Sequence, residues 1–194
     1  MRVLVLYAHP VEESFGAAVH ERVVLTLRAQ GHEVDDCNLY AEGFDPVLSG
    51  SERRGYHAIP ENRQPVESYV QRVEAAEALV LCFPVWNFGF PAILKGFLDR
   101  VFLPGVSFKL VDGQVRPNLW NIRRLAAFTS YGGPRHRAWL MGDPPRKAVC
   151  RMIRSLCHPT ARPVYFAHYD MNRSTADSRA DFLAQTGKKL ASWA

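Results

Sequence analysis

One stretch limits the possible folds more than any other. The apolar run Ala78-Leu79-Val80-Leu81-Cys82-Phe83 leads straight into Pro84-Val85-Trp86-Asn87-Phe88-Gly89-Phe90, and Pro91 follows before a run with helical spacing. A short, continuously apolar run bounded by turn residues reads as a strand buried on both faces, the kind found in parallel sheets. Proline suits a first helical position, so Pro91 predicts that a helix opens there. A loop at the carboxyl end of such a strand is where open α/β sheets bind ligands. This loop is stiffened by proline and exposes Trp86, Phe88 and Phe90 around a small polar residue, Asn87. That composition suits a flat aromatic ligand better than a phosphate or a metal.

The rest of the chain repeats the theme. Apolar runs at residues 3–7, 33–38, 79–83, 125–129 and 164–167 alternate with amphipathic stretches, the pattern of a parallel sheet flanked by helices. Val23, Val24 and Leu27 recur at helical spacing, and Gly31 stands just past the end, as a helix-terminating glycine does. Pro65 opens a short helix with Val66, Tyr69, Val70 and Val73 on one face. Ile93, Leu94, Phe97, Leu98, Val101 and Phe102 form a broad stripe, and Leu183, Thr186, Leu190 and Trp193 mark a last helix. The expected architecture is one α/β domain over residues 1–194, a doubly wound five-stranded parallel sheet with helices on both faces. Residues 42–62 read as a long polar excursion, and Asp112-Gly113 inside residues 108–115 signals a hairpin.

Composition narrows the classes. At 194 residues the chain can bury a core without staples, and no run approaches the roughly 20 apolar residues of a membrane span. The start Met1-Arg2-Val3-Leu4-Val5-Leu6-Tyr7 is too short for a signal peptide and lacks a cleavage site, so it reads as a first strand in a cytoplasmic protein with no membrane insertion. Cys37, Cys82, Cys150 and Cys157 have neither CxxC nor metal-finger spacing and read as reduced core thiols, with no metal site. The net charge is +5, concentrated in Arg135, His136, Arg137, Arg146, Lys147, Arg151 and Arg154. A basic patch of this kind serves a solvated face, a nucleotide phosphate or a nucleic acid. No nucleic-acid-binding motif accompanies it, so nucleic acid is not an expected partner.

Two more loops carry chemistry. In Ala8-His9-Pro10-Val11-Glu12-Glu13-Ser14-Phe15-Gly16, Ser14 is placed to cap the first helix, whose N–H groups attract a phosphate. It is not a P-loop, since the glycines and the Lys-Ser/Thr are missing. In Thr129-Ser130-Tyr131-Gly132-Gly133, at the end of the fourth expected strand, paired glycines let the backbone approach a ligand.

Together the three loops resemble the flavodoxin-like NAD(P)H:quinone oxidoreductase family, in which a strand followed by A-H-x-x-x-x-S-F cradles the flavin phosphate. The resemblance covers nearly the whole chain and implies that His9, Ser14 and Phe15 hold the phosphate. It implies that Pro84, Val85, Trp86, Asn87 and Phe88 border the isoalloxazine ring, with Ser130, Tyr131, Gly132 and Gly133 along its pyrimidine edge. Amides there would stabilise negative charge on the reduced ring. Trp86, Phe88 and Phe108 form the expected substrate wall, Phe108 being donated across a homodimer interface built largely by the broad stripe. One departure matters. The mammalian branch carries a Tyr and a His after the Gly-Gly that assist hydride transfer, whereas Pro134-Arg135-His136-Arg137-Ala138 follows here. Tyr131 and His136 are the candidate catalytic substitutes. The resemblance implies FMN, with FAD as the alternative, NADH or NADPH as donor, a quinone-type acceptor and ping-pong turnover. Other expectations stay open: a redox-sensing regulatory subunit of a potassium-efflux system, and an electron carrier, which the basic charge disfavours.

Overall fold

The computed structural model describes residues 1–193. Strand β1 (Arg2–Tyr7) leads to α1 (Phe15–Ala29), and β2 (Glu33–Asn38) to α2 (Gly50–Arg54). A 3₁₀ turn (Glu61–Val66) runs into α3 (Glu67–Ala75), and β3 (Ala78–Val85) is followed by α4 (Ala92–Val101) and the hairpin β4 (Phe108–Val111) and β5 (Gln114–Pro117). Strand β6 (Arg124–Tyr131) precedes α5 (Arg135–Leu140) and a longer helical run: α6 (Pro144–Lys147), a π segment (Ala148–Ile153) and α7 (Arg154–Leu156). Strand β7 (Pro163–His168) and α8 (Ala176–Leu190) follow.

The main sheet has the order β2-β1-β3-β6-β7, every neighbouring pair parallel. This is the doubly wound order expected, and it has a physical origin. Because side chains alternate along a strand, Leu4, Leu6, Leu79, Leu81, Leu125 and Ala127 face one layer, containing Val70, Val73, Leu94 and Phe97 of α3 and α4. Val3, Val5, Tyr7, Val80, Cys82 and Phe128 face the other, with Val23, Leu27 and Phe182 of α1 and α8. The strand order reverses beside β1, so the chain leaves β1 for one face and β3 for the other. A crevice opens between those two exits, the usual ligand position in such sheets.

Several local expectations are corrected. Pro91 is the N-cap of α4, not its first residue, with extended ψ 144. Pro65 lies in the 3₁₀ turn, two positions before α3 opens at Glu67. The broad stripe on α4 offers no exposed patch: Ile93, Leu94, Phe97, Leu98, Val101 and Phe102 are all buried within this one chain. The polar excursion explains why. It folds back over α4, and a Cβ on Gly96 would stand 2.3 Å from the Pro46 carbonyl oxygen. Arg100, on the same helix, is buried and donates to Glu52 Oε1 at 2.8 Å and to the Asp45 carbonyl. Cys37, Cys82 and Cys157 are buried free thiols, as read, but Cys150 is half-buried.

Candidate active site at the carboxyl edge of the sheet

The exit from β1 is built around the start of α1. Ser14 takes extended backbone angles and its Oγ accepts the Ala17 N–H at 3.1 Å, an N-cap that leaves the first helical N–H groups facing outward. His9 Nδ1 accepts the Val11 N–H at 3.0 Å. Burial pushes His9 below its ordinary pKa. A cavity of about 650 Å³ opens here, lined by Tyr7, His9, Ser14 and Ala17. Tyr7 Oη is buried with no formed hydrogen bond, and its ring stacks on His20 with centroids 4.2 Å apart. His20 Nε2 in turn meets Asp36 Oδ1 at 2.7 Å.

The exit from β3 is a two-residue reversal. Trp86 and Gly89 exchange both backbone hydrogen bonds, at 3.2 and 2.9 Å, and between them Asn87 (φ 50) and Phe88 (φ 58) are left-handed. A tight turn of this primed type needs positive φ at both central positions and is normally supplied by Asn-Gly. A phenylalanine held there is strained backbone of the kind that clusters at functional sites. The turn leaves Trp86 and Phe88 part-exposed, 41% and 39%. Trp86 reaches back to His9, ring centroids 5.7 Å apart, which joins the first two loops.

The third loop closes on the second. Val85, Asn87 and Phe88 line one cavity of about 270 Å³ with Gly132 and Gly133. Pro84 pairs with Ser130, and Val85 with Tyr131, in the parallel register. The glycine pair is backed by the exit of β7: Asn172 N–H donates to the Gly132 carbonyl at 3.1 Å and Asp170 N–H to that of Gly133 at 2.9 Å. A Cβ on Gly132 would stand 3.4 Å from Asn172 Oδ1, a tight approach. The second and third loops therefore line one cavity, and the His9–Trp86 contact brings the first loop, with its own cavity, alongside them.

Four predicted site residues are placed differently. The Tyr131 hydroxyl points away, donating to Asp143 Oδ1 at 2.5 Å and sharing a 2.6 Å hydrogen bond with Tyr165. Burial and the two neighbours drive its pKa upward, so it stays a committed phenol. His136 is exposed on α5, and Arg137, not His136, lines the cavity. The Phe15 ring turns inward, 5.4 Å from His168 and 5.8 Å from Phe182. Phe108 lies apart from Trp86 and Phe88, lining another cavity of about 590 Å³ with Phe90, Leu98 and Met152. The sequence reading missed Tyr7, His20, Asp36, His168 and Asn172. Position at strand carboxyl ends was the available signal for Tyr7 and His168.

The residues fit a flavin. Three buried polar side-chain atoms without partners, Tyr7 Oη, Thr129 Oγ1 and His168 Nδ1, all stand at the carboxyl ends of sheet strands. Buried polar atoms are normally satisfied, so these three of the six orphaned atoms among the described residues leave hydrogen-bonding capacity toward the carboxyl edge of the sheet, the other three being Arg2 Nε, Gln30 Oε1 and His32 Nε2.

Comparison with known proteins agrees with this geometry. A family model described as flavodoxin-like fold matches residues 1–190. An NAD(P)H oxidoreductase of Haemophilus influenzae is 36% identical over 117 residues, 59% of this chain and 56% of the relative. NAD(P)H dehydrogenase [quinone] 1 of Rattus norvegicus is 32% identical over 147 residues, 68% of this chain and 54% of the relative. The chain thus spans about half the length of these curated relatives. The crystal structure of Smu.1420 from Streptococcus mutans superposes with a TM-score of 0.83 at 27% identity, covering 97% of this chain and 98% of that one.

Proposed function

Because the chain belongs to the flavodoxin-like fold family, we propose that it is a flavin-dependent NAD(P)H oxidoreductase that reduces quinones or similar acceptors. The observation that carries this reading is the strained Asn87-Phe88 turn facing Gly132-Gly133 across one cavity, with the His9–Ser14 loop joined to it through the His9–Trp86 contact. The relatives named as NAD(P)H oxidoreductase and quinone dehydrogenase support the reaction class. When bound, the flavin supplies two-electron hydride chemistry. The chain supplies the rest. Ser14 and the first turn of α1 hold the phosphate, with His9 beside them. Backbone N–H groups of Asn87 and Phe88 and of Gly132-Gly133 would orient the ring's polar edge. Trp86 and Phe88 wall the open side, which donor and acceptor occupy in turn, giving ping-pong kinetics. The reading gives no proton-relay role to Tyr131, whose hydroxyl is committed, or to the exposed His136.

FMN is favoured over FAD. Glu12, Glu13 and Glu21 line the same cavity as Ser14, so each phosphate placed there meets carboxylates, once for FMN and twice for the two phosphates of FAD. The four unpaired cysteines fit a reducing, cytoplasmic setting. The active form in this reading is a homodimer, in which the apolar cavity at Phe108 is covered by the second copy. Light scattering together with activity tests that: a fully active monomer would remove the dimer and any cross-subunit role of Phe108.

The decisive experiment is the absorbance spectrum of the purified protein with and without NAD(P)H under anaerobic conditions, followed by release and identification of the flavin. A yellow protein that bleaches with donor and recovers with quinone is expected. Ser14→Ala should weaken flavin binding by about 1 kcal/mol or more, the scale of a lost hydrogen bond. A colourless protein with unchanged fold would sink the reading.

A further inference from the structure

Next to the crevice lies a second cavity whose chemistry the reaction above does not use. It has a volume of about 360 Å³ and is lined by Trp139, Asp143, Arg146, Lys147, Cys150 and Arg151. That is within the range of small-molecule sites. The two cavities are contiguous along the chain. Arg137 and Ala138 of α5 line the first, and Trp139, the next residue, lines the second. Asp143, on the wall of the second, accepts the hydrogen bond from Tyr131 on the wall of the first.

Charge singles this cavity out. Residues 135–154 hold Arg135, Arg137, Arg146, Lys147, Arg151 and Arg154 against one acid, Asp143, so the net charge of +5 is matched within this segment alone. Asp143 is already committed to Tyr131. Among the described residues, Arg146, Lys147 and Arg151 form no ion pair, whereas Arg63, Arg72 and Arg100 elsewhere all do. Arg146 also meets the Cys150 thiol on the cavity wall, and three cations with no acidic partner around a concavity make it attractive to an anion. Trp139 gives the anion a shape. Its side chain is 78% exposed at the rim, an aromatic platform beside guanidinium groups, the pairing that stacks a nucleobase.

We propose that this cavity binds the adenosine 2′-phosphate end of NADPH, with Trp139 stacking the adenine and Arg146, Lys147 and Arg151 holding the phosphate monoester, so that the protein prefers NADPH to NADH. The proposal rests on the oxidoreductase reading, because it is the donor's nicotinamide that must reach the first cavity. Arginine beside the adenosine ribose is a general means of accepting a 2′-phosphate. All three cations are exposed, so their removal leaves the core intact.

The test is calorimetric titration of the flavin-loaded protein with adenosine 2′,5′-bisphosphate and with AMP, which share the adenine and differ in the 2′-phosphate. The bisphosphate should bind at least tenfold more tightly. Lys147→Ala and Arg151→Ala should each cut that preference several-fold while leaving AMP binding unchanged. Trp139→Ala should weaken both ligands by the same factor. The kcat/KM for NADPH should fall in the cation variants, with that for NADH and the flavin spectrum unchanged. Equal binding of AMP and the bisphosphate, or a triple variant of the three cations that keeps the preference, overturns the proposal. A yellow protein reduced equally by NADH and NADPH removes the inference and leaves the reductase reading standing. A colourless protein that still prefers the bisphosphate removes the reductase reading and keeps the anion site.

Discussion

Around α2, α3 and α4, arginines are held between acids. Arg63 lies between Glu67 and Glu74, Arg72 between Asp35 and Glu42, and Arg100 against Glu52 and the Asp45 carbonyl. Along α5, α6 and the π segment, Arg137, Arg146, Lys147 and Arg151 meet no such partner among the described residues. The strand ends nearby add unpartnered Thr129 and His168 atoms and the strained Phe88 backbone. Both stretches belong to one layer over the sheet, but the first has settled its polar groups and packed tightly enough to exclude a Cβ at Gly96. The other leaves polar groups and strain uncompensated, as a surface does when a ligand is to complete it. The contrast teaches that charge count says little about role until the partners of each charge are known.

The largest effect should come from the settled stretch. Arg100→Leu should cost about 3 kcal/mol in urea unfolding, because it removes a buried guanidinium and leaves the half-buried Glu52 carboxylate without its cation, held only by Ser49. Glu52 also gives the pH signature. Burial tends to raise its pKa, but hydrogen bonds from Ser49 and the Arg100 guanidinium outweigh burial and hold it below the usual carboxylate value. Its stabilisation is therefore present above the unfolded-state pKa and lost as pH falls through the lower folded one. Acid unfolding curves should flatten in Glu52→Gln. An unchanged acid limb would show that this pair does not differ from the rest.

Tyr131→Phe probes the join between the two stretches. Losing its hydroxyl leaves Asp143 and Tyr165 without their shared partner, at a cost of about 1–3 kcal/mol. Flavin-saturated turnover should stay within a few-fold of wild type, since that hydroxyl does not face the crevice. A large fall in turnover at full flavin occupancy would return Tyr131 to the chemistry.

Phe88→Gly should run the other way. Relief of the left-handed strain should stabilise the flavin-free protein by about 0.5–1 kcal/mol, while kcat/KM for quinone drops with the lost wall. If stability falls instead, the turn is supported by packing rather than strained. Smallest of all, Lys147→Ala should move stability by no more than about 0.5 kcal/mol, as at an ordinary surface position. A loss like that of Arg100→Leu would erase the contrast between the stretches.

Much of this was legible before any coordinates. The five buried strands, the glycine that ends α1 and the hairpin at Asp112-Gly113 follow from local periodicity and turn chemistry, which need only near neighbours. Pro91 stands one position and Pro65 two positions ahead of the helix each was expected to open, because neither residue alone decides whether the first turn is a cap, a 3₁₀ turn or a helix. The wide stripe on α4 was read as a partner surface for a different reason. What covers it, the excursion through Pro46, stands some 50 positions away in the chain.

The candidate site divides along the same line. By itself the sequence determined that loops with the right residues follow β1, β3 and β6, and a parallel sheet with right-handed crossovers must bring such exits to one edge. Only the tertiary structure decided which side chains serve that edge. Tyr131 pairs with Asp143 and Tyr165, Phe15 packs on His168 and Phe182, and Asn172 backs Gly132. Each of these depends on which residues from distant segments meet at the strand ends, and strand alternation alone gives a face but not a partner. Periodicity is a property of the chain; hydrogen-bond and charge satisfaction is a property of the packed molecule.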